Sequence, residues 1–205
     1  MTGWIDHLVI APIVIPLLAG TVMILLGDRR RNIKAAIGLT AAFALVLVAV
    51  ALLGLADGSN STEVRVYRLG NWPAEFAIVL VLDRLAAMML VLTSVLGIAA
   101  LIYALARWHR AGAHFHPLFQ FQLMGLNGAF LTGDLFNLFV FFEVMLAASY
   151  GLALHGSGTM RVRAGLHYIV INLTASLLFL IGVSMIYGVA GTLNMADLAA
   201  RIPSI

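Results

Sequence analysis

Glu143 is the residue whose type and surroundings most directly imply chemistry. It lies in Leu131-Thr-Gly-Asp-Leu-Phe-Asn-Leu-Phe-Val-Phe-Phe-Glu-Val-Met-Leu-Ala-Ala-Ser-Tyr-Gly-Leu-Ala-Leu154, the one carboxylate in the apolar run that follows Asp134. As a helix, residues 135–154 span roughly 30 Å at about 1.5 Å per residue, which matches a bilayer core and puts Glu143 near mid-depth. A charge there costs from about 2.5 to more than 10 kcal/mol, so such residues face a bundle interior or a hydrated route. A carboxylate so placed can exchange a proton and couple its charge to another ion. The alternative is a protonated Glu143 that links helices by hydrogen bonding.

A second group of candidates is uncharged. His167, Asn172, Thr174, Ser176 and Ser184 make the apolar run 165–189 polar for its depth, and His167 and Thr174 share a face at i, i+7. These groups donate and accept protons, so His167, Asn172 and Thr174 are candidates for a hydrophilic path; interhelical hydrogen bonding explains them equally well. His109, His114 and His116 have no carboxylate, cysteine or further histidine near in sequence to complete a metal site, and they read as interfacial side chains. The absence of cysteine excludes disulfides, thiolate metal sites and a cysteine nucleophile. No nucleotide, flavin, quinone or metal motif is visible, so neither a cofactor nor an enzyme is expected.

The elements that must position Glu143 follow from composition. Hydrophobic residues make up 62% of the 205 and charged residues 10%, against about 25% charged in a soluble domain. This is the composition of an integral membrane protein in a lipid bilayer. The net charge of +3 implies no nucleic-acid partner, because the cations cluster at the ends of apolar runs. A single membrane domain over residues 1–205 is expected, all-α and polytopic, with about six spans at 8–26, 35–56, 85–106, 117–131, 135–154 and 165–189. The N-terminus carries no basic residue and the first apolar run is not read as a signal peptide. Pro12 and Pro16 are tolerable in a membrane helix, where neighbours satisfy the freed backbone groups.

Between spans two and three the character changes. Residues 62–69 alternate in part with period two, Gly70-Asn-Trp-Pro73 is turn chemistry, and 76–82 is apolar and β-branched, so 62–82 reads as a β-hairpin on the membrane surface. Tyr67 and Trp72 suit an interfacial belt, and Arg65, Arg68 and Glu75 a solvated face. Asn194 is a fitting cap for a surface helix over 194–201.

Tyr67-Arg-Leu-Gly-Asn-Trp-Pro73, the stretch from Leu131 to Glu143, and Tyr187-Gly-Val-Ala-Gly-Thr-Leu-Asn-Met-Ala-Asp197 resemble the D subunit of the Mrp-type multisubunit cation/proton antiporters. That family is similar in turn to the antiporter-like proton-pumping subunits of respiratory complex I. The resemblance covers essentially the whole chain. It implies an ion-translocating subunit of a secondary transporter in the bacterial inner membrane, with other antiporter subunits as partners and protons and monovalent cations as substrates. It also implies that Glu143 is the family's fifth-helix glutamate, which pairs with a lysine on a broken seventh helix. The only lysine here is Lys34, and the family has roughly twice as many spans in two inverted repeats. The chain therefore reads as an N-terminal portion of such a subunit, a partial antiporter-like fold that does not exchange ions alone. Two other readings remain: a proton-pumping subunit of an NADH:quinone oxidoreductase or membrane hydrogenase, and a non-transporting structural or assembly fragment.

Orientation follows from the cations. Arg29, Arg30, Arg31, Lys34, Arg107, Arg110, Arg161 and Arg163 fall after spans one, three and five, which makes those loops cytoplasmic and puts the N-terminus, hairpin and C-terminal tail outside. Reporter fusions after Gly58, Gly112 and Ile205 are expected to read outside, inside and outside; a cytoplasmic signal at Ile205 would show that a span has been miscounted.

Overall fold

Apolar runs in lipid leave the backbone no polar partner but itself, and each long run here folds as a helix. The computed structural model describes residues 6–27, 29–57, 64–71, 78–106, 108–110, 112–156 and 158–204. After a 3-10 segment at Asp6–Ile10 come α1 (Ala11–Leu25), α2 (Arg31–Ala56), α3 (Arg84–Ala106), α4 (Phe115–Leu131), α5 (Leu135–Ala153), α6 (Thr159–Ala190) and the short α7 (Met195–Arg201). Among the described residues five helical stretches are long and apolar enough to cross a membrane: His7–Leu25, α2, α3, α5 and α6. α4 has 17 residues and carries Gln120, Gln122 and Asn127.

Two helices begin earlier than their apolar runs. α2 starts at Arg31 rather than 35, and α6 at Thr159 rather than 165, which turns most of a segment read as a loop into helix. The reason is physical: arginine and lysine end an apolar stretch but are good helix formers, so the helix continues beyond it.

β1 (Arg65–Arg68) pairs antiparallel with β2 (Val79–Leu82), with Arg65 opposite Leu82 and Arg68 opposite Val79. Trp72, Pro73, Glu75 and Phe76, to which the hairpin reading also referred, lie outside the described residues. β2 is part of the core, where Leu80 and Leu82 pack with Val9, Leu52, Leu90 and Leu131.

The segment between α4 and α5 ties these parts together. Gly133 N donates to Val79 O at 2.9 Å, Met195 N donates to Gly133 O at 2.9 Å, and Leu135 N donates to Leu193 O at 3.0 Å. Asp134 then caps α5, accepting from Phe136 N at 2.9 Å and Asn137 N at 3.0 Å. Asn194 caps α7 in the same way, from Ala196 N at 3.1 Å and Asp197 N at 3.2 Å. Arg201 closes the far end: it donates to Asp197 at 3.0 Å and to Ala190 O at 3.2 Å, and the bond holds the Asp197 carboxyl below its ordinary range.

α4 approaches its neighbours through small and polar residues. A Cβ on Gly125 would stand 2.7 Å from the Met145 backbone nitrogen, and one on Gly128 would overlap the Phe141 ring. Pro16, inside α1, cannot donate to the carbonyl of Pro12 one turn earlier. Asn127 supplies the missing donor, its Nδ2 reaching Pro12 O at 2.9 Å.

The close α4–α5 contact yields a test. Gly125→Ala pushes against backbone that cannot rotate away, and it should destabilise the protein by about 1–3 kcal/mol, the usual cost of overpacking. Gly54→Ala, with nothing within 4 Å of the new methyl, should unfold at the wild-type temperature or slightly above. Thermal unfolding in detergent measures both, and equal midpoints for the two variants would contradict the packing.

Candidate functional site

α5 turns Phe141, Met145 and Gly151 toward α4. With roughly 100° of rotation per residue, Glu143 lies on the other side of α5, together with Phe139 and Tyr150. This is the side that borders α6: Phe139 stacks on Phe179 with ring centroids 6.4 Å apart, and Tyr150 meets Tyr168 edge-on at 5.6 Å. Ser149 Oγ and Tyr168 OH are 3.0 Å apart in a further hydrogen bond between the two helices. Glu143 is half-buried, and its Oε1 is sealed from solvent with no hydrogen-bond partner among the described residues. The hydroxyl of Tyr150, two turns on, is in the same condition.

The polar residues of α6 are not gathered around this carboxylate. Asn172 Nδ2 donates to Tyr168 O at 2.7 Å and Thr174 Oγ1 to Val170 O at 2.9 Å, while His167 Nδ1 bonds Arg163 O at 3.1 Å. Each is a bond to the helix's own backbone four residues earlier, a local alternative to partners across the bundle. His167 and Thr174 are exposed on one face. Asn172 faces α5, where with Ser176 it lines an otherwise apolar cavity of about 470 Å³. The structure thus separates Asn172 from the other two.

A second buried polar cluster was not anticipated from the sequence. Lys34, taken as a loop cation, is in the first turns of α2 and only 1% exposed. His109 and His116, taken as interfacial, are also buried; His116 Nε2 lies 3.4 Å from His109 Nδ1. Gln120, one turn beyond His116, donates from Nε2 to Gly38 O at 3.2 Å, which joins α4 to α2. His116 Nδ1 and Gln120 Oε1 have no hydrogen-bond partner among the described residues. His155 is buried beside this group with Nε2 3.3 Å from Trp108 O, and burial lowers its pKa. Arg161 sits over the Trp108 ring at 4.9 Å and donates to the His155 carbonyl. Spacing held part of the signal: 116 to 120 is one turn of α4, so those two side chains share a face, whereas His109 lies in a separate 3-10 turn, Trp108–Arg110, and meets His116 through packing. His114, by contrast, is exposed as expected. Among the described residues no group of three histidines, cysteines or acids is placed to hold a metal.

Comparison with known proteins gives these positions a context. Residues 132–203, from the α4–α5 connection through α7, match the family described as NADH:quinone oxidoreductase/Mrp antiporter, TM. The chain is 60% identical, over its whole length, to a probable K(+)/H(+) antiporter D subunit of Rhizobium meliloti, of which it covers 38%. It is 45% identical to the Na(+)/H(+) antiporter D subunit of Alkalihalophilus pseudofirmus, over 96% of the chain and 40% of that protein. Its fold matches a chain of the Mrp complex from Dietzia sp. DQ12-45-1b with a TM-score of 0.86 at 35% identity, covering 95% of this chain and 36% of that one. The chain spans about two-fifths of the length of the curated relatives it matches. The resemblance carried by the residues around Glu143 therefore holds in sequence and in fold: nearly the whole of this chain is similar to about two-fifths of the cation/proton antiporter D subunits.

Proposed function

We propose that this chain is part of an ion-translocating subunit of a multisubunit monovalent cation/proton antiporter, with Glu143 as its intramembrane proton and coupling carboxylate. The observation that carries the reading is the state of Glu143: an ionisable oxygen closed off from solvent, without a hydrogen-bond partner among the described residues, in the middle of an apolar helix. Such a group is stable neutral, or charged beside a cation, so a cation that approaches and withdraws changes its hold on a proton. That exchange couples the movement of one ion to another's. The family description covers both redox-linked and antiporter proteins, and the antiporter names of the relatives at 60% and 45% identity favour antiport. One of those names specifies potassium and the other sodium, so the substrate class is a monovalent cation.

The proposal extends to topology. α4 is taken as a sixth span, the hairpin and α7 as external, and the N-terminus as outside, in a bacterial plasma membrane with other antiporter subunits as neighbours. Of the residues named for a hydrophilic path, Asn172, which faces α5, is retained, whereas His167 and Thr174, exposed on another face of α6, are not part of the same path.

The experiment is substitution of Glu143 in the full-length protein within its complex. Glu143→Gln keeps shape and hydrogen bonding but cannot ionise, so antiport should fall by about 100-fold or more, the low end for a positioned proton-transfer group, at normal protein abundance. Glu143→Asp should retain partial exchange. Cation-induced pH changes in everted vesicles from an antiporter-deficient host, with protein levels measured alongside, provide the readout. Wild-type exchange by the Gln variant rules out a titrating role; loss of the protein itself marks Glu143 as structural.

A further inference from the structure

Polar atoms inside a bundle need partners, and two neighbours on one face of α4 have none among the described residues: His116 Nδ1 and Gln120 Oε1. His116 is 3% exposed and Gln120 fully buried, one helical turn further on. The other polar atom of each side chain is already committed. His116 Nε2 lies 3.4 Å from His109 Nδ1, and Gln120 Nε2 donates to Gly38 O at 3.2 Å. The second bond also fixes the amide, since turning it over would set Oε1 against a carbonyl oxygen. Gly38, which has no side chain, leaves a notch in front of both residues. A Cβ built there would stand 3.5 Å from His116 Nδ1, 3.6 Å from Leu101 Cδ2 and 3.8 Å from Gln120 Nε2, all at ordinary contact distance. The notch therefore has room for a methyl-sized group, and buried residues of α2, α3 and α4 close it.

We propose that the notch at Gly38 binds one water molecule, which donates to Gln120 Oε1 and shares a hydrogen with His116 Nδ1. His109, His116, the water and Gln120 then form one hydrogen-bonded chain that leads inward from the end of the bundle where the loops are basic. A buried water needs about two to four polar partners, and cavities that stay dry are apolar. Here two partners converge on the notch, and an amide oxygen only accepts, so the occupant must be a donor. A metal cation fits less well: two ligands are too few, and Lys34 lies within electrostatic reach of His116. In a neutral imidazole one nitrogen donates and the other accepts. The water satisfies His116 Nδ1 in either tautomer, by donating its second hydrogen or by accepting. With a second imidazole at Nε2 and the water at Nδ1, His116 changes tautomer by taking a proton on one side and releasing one on the other. It is thus a buried proton-exchanging group. His116 and Gln120 lie on the side of α4 away from Gly125 and Gly128, which face α5, so the site is separate from Glu143 and does not depend on its role.

The test compares two glycines of α2 in the full-length protein within its complex. In a dry notch, Gly38→Ala would fill space and remove a helix-interior glycine, and it would melt at or above the wild-type temperature, as Gly54→Ala should. With water bound, the new methyl evicts it and strands two buried polar atoms, so Gly38→Ala should melt several degrees below both the wild type and Gly54→Ala. Two further readouts do not move with a merely steric effect. A cryo-EM map that resolves ordered water should show a peak between His116 Nδ1 and Gln120 Oε1 in the wild type and none in Gly38→Ala. Solid-state NMR on nitrogen-labelled histidine should show a contact between His116 Nδ1 and water that Gly38→Ala abolishes. A wild type without the peak or the contact, or a Gly38→Ala that melts at or above the wild type, overturns the site. A peak that persists in Gly38→Ala overturns its place at Gly38, and ligand distances shorter than a hydrogen bond would mark a cation and overturn water as the occupant. If Gly38→Ala does not assemble, the wild-type map and NMR contact decide alone.

Discussion

The depth of Glu143 depends on how the backbone between α4 and α5 is satisfied. Residues 132–135 lie between β2 and the start of α7 and exchange main-chain hydrogen bonds with both. Two side-chain caps, Asp134 and Asn194, start helices from this same point. The first turn of α5 is therefore fixed from three directions, and Glu143, nine residues along, is carried to roughly 13 Å from that anchor by helix geometry alone. The hairpin, which has the look of a surface ornament, serves this purpose: β2 is buried because it holds the anchor.

α4 shows how an apolar bundle accommodates polar side chains. Asn127 and Gln120 each spend an amide on a backbone carbonyl, at Pro12 and Gly38, and so join α4 to α1 and α2. On the opposite side Gly125 and Gly128 let α5 approach to backbone contact. Polar residues on one face and small residues on the other are both means of holding helices together where the hydrophobic effect contributes nothing between them. Gln120 Oε1 and Asn127 Oδ1 are left without a donor among the described residues, as is Glu143 Oε1, but of these three side chains Glu143 alone carries an ionisable group.

Much of this was legible in the sequence and some was not. The apolar runs announced the long helices, period-two alternation announced the strands, and Asn194 announced its cap, because each of these is a local property of a few residues. The fifth-helix carboxylate stood out for the same reason. Lys34, His109 and His116 were misjudged because burial at a helix end is set by what packs over it. Charge and position suggested a solvated loop, but α2 and α4 extend beyond their apolar runs and enclose these side chains. His167, Asn172 and Thr174 could be named but not oriented, since each satisfies itself on its own helix and turns where packing sends it.

The two buried polar clusters set opposite electrostatic problems. At one end of the bundle positive charge and imidazoles gather, with Lys34 enclosed and the nearby loops basic. Midway along α5 a carboxylate stands on its far side, toward α6, a helix whose side chains are mostly exposed. A buried cation and a buried anion that faced each other would form a static ion pair, held closely and slow to change state. Here α5 itself, packed on α4 through Gly125 and Gly128, stands between them. Keeping them apart leaves the α6 side of Glu143 open to an arriving charge, which is what its proposed coupling role requires.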